Sequence, residues 1–252
     1  MAPTDAFAEA DWQAHRPAVF GAAYRILGSV AEAEDVVQEV WLRAAAADLS
    51  EVRDLRAWLV TLAARGAYNV LKSARVRRES YVGPWLPEPL LTGPDAAAQV
   101  LMDESVSTAM LVVMETLSPA ERVALVLHDR ASRADTERLL KAFKAAADAG
   151  NLAELVELLH PEAVYVADGG GKVTAARRPV QGAAPIALLA VRQIEIRRPD
   201  AFQIIEVNGQ PALVTYRGGQ LVWLDTLEIA DGRITTWRRL ANPEKFAHIG
   251  PT

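Results

Sequence analysis

The sequence predicts a multidomain chain, in which an all-α N-terminal part is followed by an α+β domain with a curved antiparallel sheet. Two changes of pattern support this prediction. Apolar residues recur at helical spacing from about Ala8 to Asp129, with one interruption by a loop rich in proline and glycine. From Asp135 onwards helical spacing gives way to short β-branched and aromatic runs, which Asn-Gly, Gly-Gly and Asp-Gly pairs separate as hairpin turns. The length of 252 residues fits one or two domains.

The helices of the N-terminal part are marked by their ends. Gly28 suits the end of the first helix, and Ser29 with Glu32 forms a capping box for the second. Ser118 and Pro119 begin the last one in the same way. The predicted ranges are His15–Leu27, Ser29–Ala47, Leu55–Arg78, Ala96–Leu117 and Pro119–His128.

The second part alternates helices and strands in an order typical of a sheet that wraps on helices. The predicted helices are Asp135–Ala149, Leu152–Leu159 and Pro185–Ile196. The predicted strands are Val164–Ala167, Phe202–Val207, Leu213–Tyr216, Leu221–Ile229 and Ile234–Leu240.

The composition excludes several classes of protein. The chain has no cysteine, so it has neither a disulfide framework nor thiolate chemistry. Its first residues, MAPTDAFAEAD, lack the apolar core of a signal peptide, and no apolar run is long enough to span a bilayer. We therefore expect a cytoplasmic protein that contacts no membrane. The four histidines are scattered without metal-ligand spacing, and we expect neither a metal nor another cofactor.

The second helix carries an acidic stripe beside its apolar one. The apolar stripe predicts the core face and consists of Ala33, Val36, Val37, Val40, Trp41 and Ala44. Asp35, Gln38, Glu39 and Leu42 fall on another stripe of the same period. Most acidic stripes are only solvated faces. A docking surface for a protein partner is the more specific alternative.

The third helix is basic along one face. Its predicted core residues are Leu55, Trp58, Leu59, Leu62 and Val70. The basic face carries Arg65, Tyr68, Asn69, Lys72 and Arg75, with Arg77 and Arg78 at the end. The helix dipole favours cations in the last turn, but it does not explain a stripe three turns long. Interleaved aromatic and amide groups favour contact with phosphates and bases over a solvated face.

These motifs resemble those of a known family. AEDVVQEVWLRA, RAWLVTLAAR and the basic run resemble region 2 of an extracytoplasmic-function (ECF) sigma factor, and LSPAERVALVLHD resembles the opening of region 4. WLPEP (Trp85–Pro89), DGGGK (Asp168–Lys172) and NPEKF (Asn242–Phe246) resemble the SigJ-like subgroup, whose members carry a C-terminal SnoaL-like domain with a cone-shaped curved sheet. The resemblance divides the chain into region 2 (8–80), a linker (81–95), a partial region 4 (96–134) and the SnoaL-like domain (135–250).

The resemblance implies a sigma factor that directs transcription initiation. Asp35, Gln38 and Glu39 match the helix that docks on core RNA polymerase, where carboxylates meet cationic side chains. The residues that match the helix for the −10 promoter element are Arg65, Asn69, Lys72, Arg75, Arg77 and Arg78. Relatives commonly have Asp and Arg in place of Asn69 and Lys72, so the promoter preference can differ.

Region 4 departs from the family pattern. After VLHD the chain runs directly into Arg130–Ala134, and the turn and most of the recognition helix are missing. A natural deletion, an engineered one and an omitted disordered segment are the three explanations. As written, the chain is not expected to bind a −35 element specifically, because a helix-turn-helix needs its second helix in the major groove.

The resemblance also implies that the C-terminal domain contacts the sigma core and tunes its activity. The contact residues would be Trp85, Leu86, Pro87, Asp168, Gly169, Gly170, Gly171, Lys172, Asn242 and Pro243. Turn geometry for the glycines and an extended linker for the prolines are the simpler alternatives. For DGGGK the two interpretations are balanced, whereas Trp85 between prolines favours an apolar anchor.

Some SnoaL-like domains are enzymes that need a carboxylate base in an apolar cavity. The candidate residues here are Tyr165, Asp168, Tyr216, Asp225 and Glu228. Asp168 before three glycines is more typical of a turn, and Asp225 is more simply paired with Arg238 or Arg239. We therefore expect no enzymatic activity and no catalytic residue. Whether the domain takes a small-molecule ligand stays open, as do two rival functions: a ligand-sensing regulator that occupies core polymerase without initiating, and a SnoaL-like enzyme with a vestigial helical domain.

Overall fold

The computed structural model describes residues 9–50, 52–79, 81–91, 132–246 and 249, with the helical backbone alone at residues 9–11 and 72–79. These residues form two compact units. The N-terminal unit ends before residue 81, and the C-terminal unit comprises the linker residues 81–91 and the chain from residue 132. The predicted helices at 96–117 and 119–128, and most of the predicted partial region 4, lie outside the described residues.

The described residues of the N-terminal unit form three helices: α1 (Glu9–Leu27), α2 (Val30–Ala46) and α3 (Leu55–Glu79). Helix α1 begins six residues before its predicted start and continues through Pro17. Trp12 is buried in this early part and its ring lies 5.2 Å from that of Trp41. This burial offsets the backbone hydrogen bond that a proline removes from a helix.

Helices α2 and α3 approach each other through small residues. The predicted core stripe of α2 is confirmed at Ala33, Val36, Val37, Val40 and Ala44, which are all buried. Its sixth residue, Trp41, is only partly buried. On α3 the most buried positions include Leu59, Ala63 and Ala67. A Cβ atom on Gly66 would lie 3.3 Å from Val36 Cγ1. Trp58, which we expected in the core, is only half-buried.

The C-terminal unit contains three helices, six strands and a 3₁₀ turn among its described residues. The helices are α4 (Arg133–Asp148), α5 (Leu152–Leu158) and α6 (Ala183–Arg197). The strands are β1 (Leu159–Asp168), β2 (Val180–Gln181), β3 (Ala201–Val207), β4 (Gln210–Arg217), β5 (Gln220–Ala230) and β6 (Arg233–Leu240), and the 3₁₀ turn is Pro243–Phe246.

The sheet has the order β2-β1-β6-β5-β4-β3. Strands β3 to β6 form the predicted antiparallel meander, with turns at Asn208-Gly209, Gly218-Gly219 and Asp231-Gly232 whose six residues all have positive φ. The sheet as a whole is mixed rather than antiparallel, because β1 pairs with β6 in parallel, with Asp168 opposite Leu240. Strand β2, helix α6 and the meander strands β3 to β5 lie between these two strands in the chain.

The two faces of the sheet bury different clusters. One face packs against the helices around Phe143, Tyr165, Ile186 and Trp237. The other face carries a second cluster, whose strand residues include Val207, Val214, Leu224 and Leu240 and which the linker residue Leu86 joins. The linker therefore belongs structurally to the C-terminal unit.

Candidate functional site

The predicted polymerase-docking residues lie together on the exposed face of α2. Asp35, Gln38 and Glu39 are all exposed, and Leu42 on the same stripe is 67% exposed. Arg43 Nη2 lies 2.5 Å from Glu39 Oε1 in an exposed ion pair. The Ser29 hydroxyl accepts a hydrogen bond from the backbone N–H of Glu32 at 3.4 Å, as its capping role predicts. The face is thus acidic, accessible and held on a capped helix.

The predicted DNA-binding residues share helix α3. Arg65, Tyr68 and Asn69 are exposed and line an open groove of about 570 Å³ with apolar and hydroxyl groups from the preceding turns of the helix. Tyr68 is 56% exposed, which is unusual for a ring of this size on a helix packed on one side. The backbone places Lys72, Arg75, Arg77 and Arg78 further along the same helix, and their side chains lie outside the described atoms.

Asp168 is the centre of the contact between the linker and the C-terminal domain. Its side chain is completely buried. Oδ1 accepts hydrogen bonds from the Tyr81 hydroxyl at 2.5 Å and from the Gly170 N–H at 3.0 Å. Oδ2 accepts from the Leu86 N–H and from Lys245 Nζ, both at 2.8 Å. One carboxylate therefore binds a linker side chain, the linker backbone, the glycine loop and a lysine from the 3₁₀ turn.

Lys245 also contacts the linker directly. Its ammonium group also donates to the Leu86 carbonyl and lies over the rings of Trp85 and Tyr81, at 4.2 and 5.1 Å from their centroids. Asn242 Nδ2 donates to the Tyr81 hydroxyl at 2.9 Å. A lysine that is 6% exposed and held by a carboxylate, a carbonyl and two rings is satisfied in both charge and hydrogen bonding.

Apolar packing also holds the linker against the domain, and we call the linker in this bound position the seated linker. Leu86 is 3% exposed, and Pro87 and Pro89 are also buried, whereas Trp85 is half-buried. The anchor is thus mainly Leu86 rather than the predicted Trp85, because the indole lies over the Lys245 ammonium instead of in a pocket. The space that remains under the linker is about 10 Å³, room for no more than one water molecule.

The linker also pairs with the end of β3. The backbone N–H of Leu90 donates to Asn208 Oδ1 at 3.2 Å, and its carbonyl accepts from the Asn208 N–H at 2.9 Å. Leu91 forms an isolated antiparallel bridge with Val207. Linker residues from 81 to 91 are therefore held along one face of the domain at both ends.

The glycine motif forms a tight turn and also lies against the linker. Gly170 and Gly171 have positive φ, which suits a tight turn. A Cβ atom on Gly170 would lie 2.8 Å from the Tyr81 hydroxyl and would overlap the Asn242 amide. On Gly169 it would lie 2.7 Å from the Val173 carbonyl oxygen. Lys172 forms an exposed ion pair of 2.7 Å with Glu244, next to Pro243 at the start of the 3₁₀ turn.

Tyr81 and Lys245 are the residues of this site that sequence reasoning missed. Nothing around Tyr81 distinguishes it from other loop tyrosines. Lys245 stands inside the NPEKF motif, whose contact residues were assigned only at Asn242 and Pro243. A lysine within a motif expected to make contacts was the one available signal.

The contribution of Tyr81 to stability is expected to fall in alkaline solution. Burial, and then the hydrogen bond to Asp168, raise the pKa of Tyr81 above its usual value of 10.0. The unfolded chain therefore loses this proton at a lower pH than the folded chain, so the contribution is complete below about pH 10 and is lost as the pH rises through the folded-state pKa. Urea denaturation across this range should show a steeper loss for the wild type than for Tyr81→Phe. Equal slopes would contradict the assignment.

The candidate catalytic carboxylates are all engaged by partners. Asp225 binds Arg239 through two contacts of 2.7 Å and accepts a hydrogen bond from Trp237 Nε1 at 2.9 Å. The Arg239 guanidinium lies over the rings of Trp223 and Trp237, at 4.1 and 4.6 Å. Glu228 pairs with Arg238 at 3.0 Å. The simpler interpretation of Asp225, an ion pair, is confirmed.

Tyr165 is the remaining buried candidate on the helix face. It is fully buried, its hydroxyl accepts from Gln193 Nε2 at 3.1 Å, and burial raises its pKa. Arg239 occupies the space next to it and also donates to Gln193 Oε1. The helix face of the sheet therefore carries an internal polar cluster of Tyr165, Gln193, Arg239 and Asp225 beside its apolar core.

Comparison with known proteins assigns the family. Residues 12–77 match the model of Sigma-70 region 2. Over an aligned length of 289 residues the chain is 33% identical to the ECF RNA polymerase sigma factor SigJ of Mycobacterium tuberculosis, which covers 94% of this chain and 92% of that one. The chain belongs to the extracytoplasmic-function sigma factors. As a sigma factor it directs transcription initiation, and its partners are core RNA polymerase and promoter DNA.

Other relatives agree with this sigma factor assignment. The probable ECF sigma factor SigI of the same organism is 37% identical over 48% of this chain and 42% of its own length. The crystal structure of M. tuberculosis SigJ has a TM-score of 0.72 at 31% identity, and the match covers 94% of this chain and 97% of that one. The alignment with SigJ is longer than the 252 residues of this sigma factor, so SigJ contains residues that have no counterpart here.

Two features are absent from the described part of the chain. No helix there is long and apolar enough to cross a membrane. No group of three or more histidines or carboxylates in the same residues is arranged to hold a metal ion.

Proposed function

We propose that this sigma factor binds core polymerase through the α2 face, reads the −10 element through the α3 face, and is regulated by its C-terminal domain through the seated linker. The proposed regulation rests on the buried carboxylate of Asp168, which joins the linker to the DGGGK and NPEKF motifs of the domain. A buried carboxylate is costly unless its partners stay in place, so the linker is held in one position on the domain.

The α2 face supports polymerase docking by its chemistry. Its carboxylates and amide are exposed, and Leu42 at the end of the stripe offers apolar contact. Protein interfaces combine charge-assisted hydrogen bonds with apolar contact of this kind.

Asp35→Ala with Glu39→Ala is expected to weaken binding of core polymerase by at least about tenfold, because two charge-assisted contacts are lost. Fluorescence anisotropy of labelled protein with purified core enzyme measures the affinity. The matched control is Glu34→Ala with Asp48→Ala, which removes two carboxylates of the same unit that lie off this stripe. Equal losses in the two double variants would contradict docking through α2.

The α3 face supports recognition of the −10 element. Exposed cationic, aromatic and amide groups alternate along it, which suits phosphate contact together with stacking on unpaired bases.

Arg75→Glu with Arg78→Glu is expected to abolish binding of −10 DNA by the holoenzyme while core binding survives. Arg53→Glu with Arg56→Glu, which reverses two exposed charges at the start of the helix, should reduce binding much less. An unchanged rate of promoter opening in the first variant would contradict the assignment.

The C-terminal domain is proposed to be a regulator without catalytic activity. Each carboxylate that could serve as a base is already bound: Asp168 by the linker and Asp225 by Arg239. A base must be free to take a proton from a substrate.

A sigma factor acts where polymerase and the chromosome are, so we also propose a cytoplasmic location.

In vitro transcription with purified core polymerase tests the function as a whole. Run-off product from a promoter with a −10 element is expected. A chain that binds core polymerase and suppresses initiation by other sigma factors, without product of its own, would instead be the non-initiating regulator. The experiment includes that alternative because region 4 departs from the family pattern after VLHD.

A further inference from the structure

A cleft in the C-terminal unit is bounded by the linker on one side and by the glycine-rich loop on the other. Its volume is about 280 Å³. Val82 and Gly83 form the linker wall, Ala167 lies at the end of β1, and most of the loop from Gly169 to Arg177 forms the opposite wall. Lys245 and Leu86, which hold the linker at Asp168, do not line this cleft.

The walls of this cleft come together through two glycines. A Cβ atom on Gly171 would lie 3.1 Å from Val82 Cβ, and one on Gly83 would lie 3.7 Å from Arg177 Cα. Both glycines have positive φ. Because one wall is the linker itself, the cleft exists only while the linker is seated.

The charged side chains that line the cleft are both cationic. Lys172 lies at the rim, half exposed and paired with Glu244 at 2.7 Å. Arg177 is exposed and forms no ion pair with any residue that the structure describes. The other side chains of the walls are mainly valine and alanine. The accessible lining combines backbone polar groups with these small apolar side chains, so two cations beside it suit an anion with a short hydrocarbon part, and the volume limits it to a small molecule.

We propose that this cleft binds a small amphipathic anion, a carboxylate or a phosphate monoester with a short apolar chain, and that the bound anion favours the seated linker. A ligand that touches both walls binds the seated state more tightly than the released one, so it shifts the equilibrium towards the seated state. The binding site stands on the cleft alone, whereas an effect on transcription rests on the function proposed above for the linker.

Isothermal titration calorimetry of the full chain with octanoate, octyl phosphate and octanol tests the site. Saturable binding of at least one anion is expected, and the two head groups distinguish carboxylate from phosphate. Lys172→Gln with Arg177→Gln should weaken that binding by at least about tenfold. Arg178→Gln, which removes the adjacent cation outside the cleft, should leave it unchanged. Equal binding of octanol, binding that survives the double substitution, or no saturable binding of either anion overturns the proposal.

Asp168→Ala separates this proposal from the function of the linker. Weaker anion binding in that variant supports the coupling, and unchanged binding overturns the coupling. If the anion binds the wild type while Asp168→Ala leaves transcription unchanged, the linker function fails and the site stands. If Asp168→Ala changes transcription while no anion binds, the site fails and the linker function stands.

Discussion

Replacing Asp168 with alanine is expected to lower the free energy of unfolding of the C-terminal unit by about 3–5 kcal/mol. The substitution leaves the Lys245 ammonium buried without its carboxylate, and it removes the acceptor of the Tyr81 hydroxyl and the Leu86 N–H. A buried charge without a partner is among the most destabilising single changes in a protein. Urea denaturation of the full chain, followed by circular dichroism, measures the loss.

The same variant should release the linker. Limited proteolysis is expected to cut between residues 81 and 91 faster than in the wild type, and the rate of transcription initiation is expected to change. The matched control is Asp148→Ala, which removes the aspartate of a more exposed Asp–Lys pair with Lys144 and should cost less than about 1 kcal/mol. Wild-type proteolysis in Asp168→Ala would show that the seat of the linker does not depend on this carboxylate.

The second large effect is expected at Asp225. Asp225→Ala removes both contacts to Arg239, whose guanidinium stays buried between two indole rings. Burial alone would lower the pKa of Arg239, but the ion pair with Asp225 outweighs burial and raises it. We expect the free energy of unfolding to fall by about 3–5 kcal/mol in the single variant.

A double variant distinguishes an ion pair from general damage to the core. Asp225→Leu with Arg239→Met removes both charges and keeps most of the side-chain volume, so it should be clearly more stable than Asp225→Ala. Chemical denaturation of the wild type and both variants provides the comparison. If the double variant is the less stable of the two, the energy of the cluster lies in packing of the guanidinium on the rings rather than in the charge pair.

Local signals in the sequence were sufficient for most elements. Ser29 caps α2 by accepting a backbone N–H, and the glycine-containing pairs turn the meander with the positive φ that their residue types favour. These signals depend only on a few neighbouring residues, which is why the sequence carries them. The two faces of α2 followed equally well from spacing.

The parallel pairing of β1 with β6 could not be predicted in this way. It joins Asp168 to Leu240 across more than seventy residues, and no local pattern records which distant strand will be the neighbour. Periodicity identifies the face of an element but not its partner. The sequence likewise predicts the turn at the aspartate of DGGGK, and Asp168 accepts the Gly170 N–H there. Its complete burial under the linker depends on a distant segment, so no local pattern predicts it.

The parallel pair has a further consequence for how this protein tolerates change. Since β1 and β6 run side by side, the motifs that follow them leave the sheet at the same edge, and the Asp168 carbonyl accepts the N–H groups of Ala241 and Asn242 at 2.8 and 3.0 Å. Residues inserted into the intervening loops or hairpins would leave these two strand ends adjacent. A slip of one residue in β1 would instead turn the Asp168 side chain towards the helices. The contact between Asp168 and the linker is therefore robust to changes of length between β1 and β6 but depends on the register of a single strand.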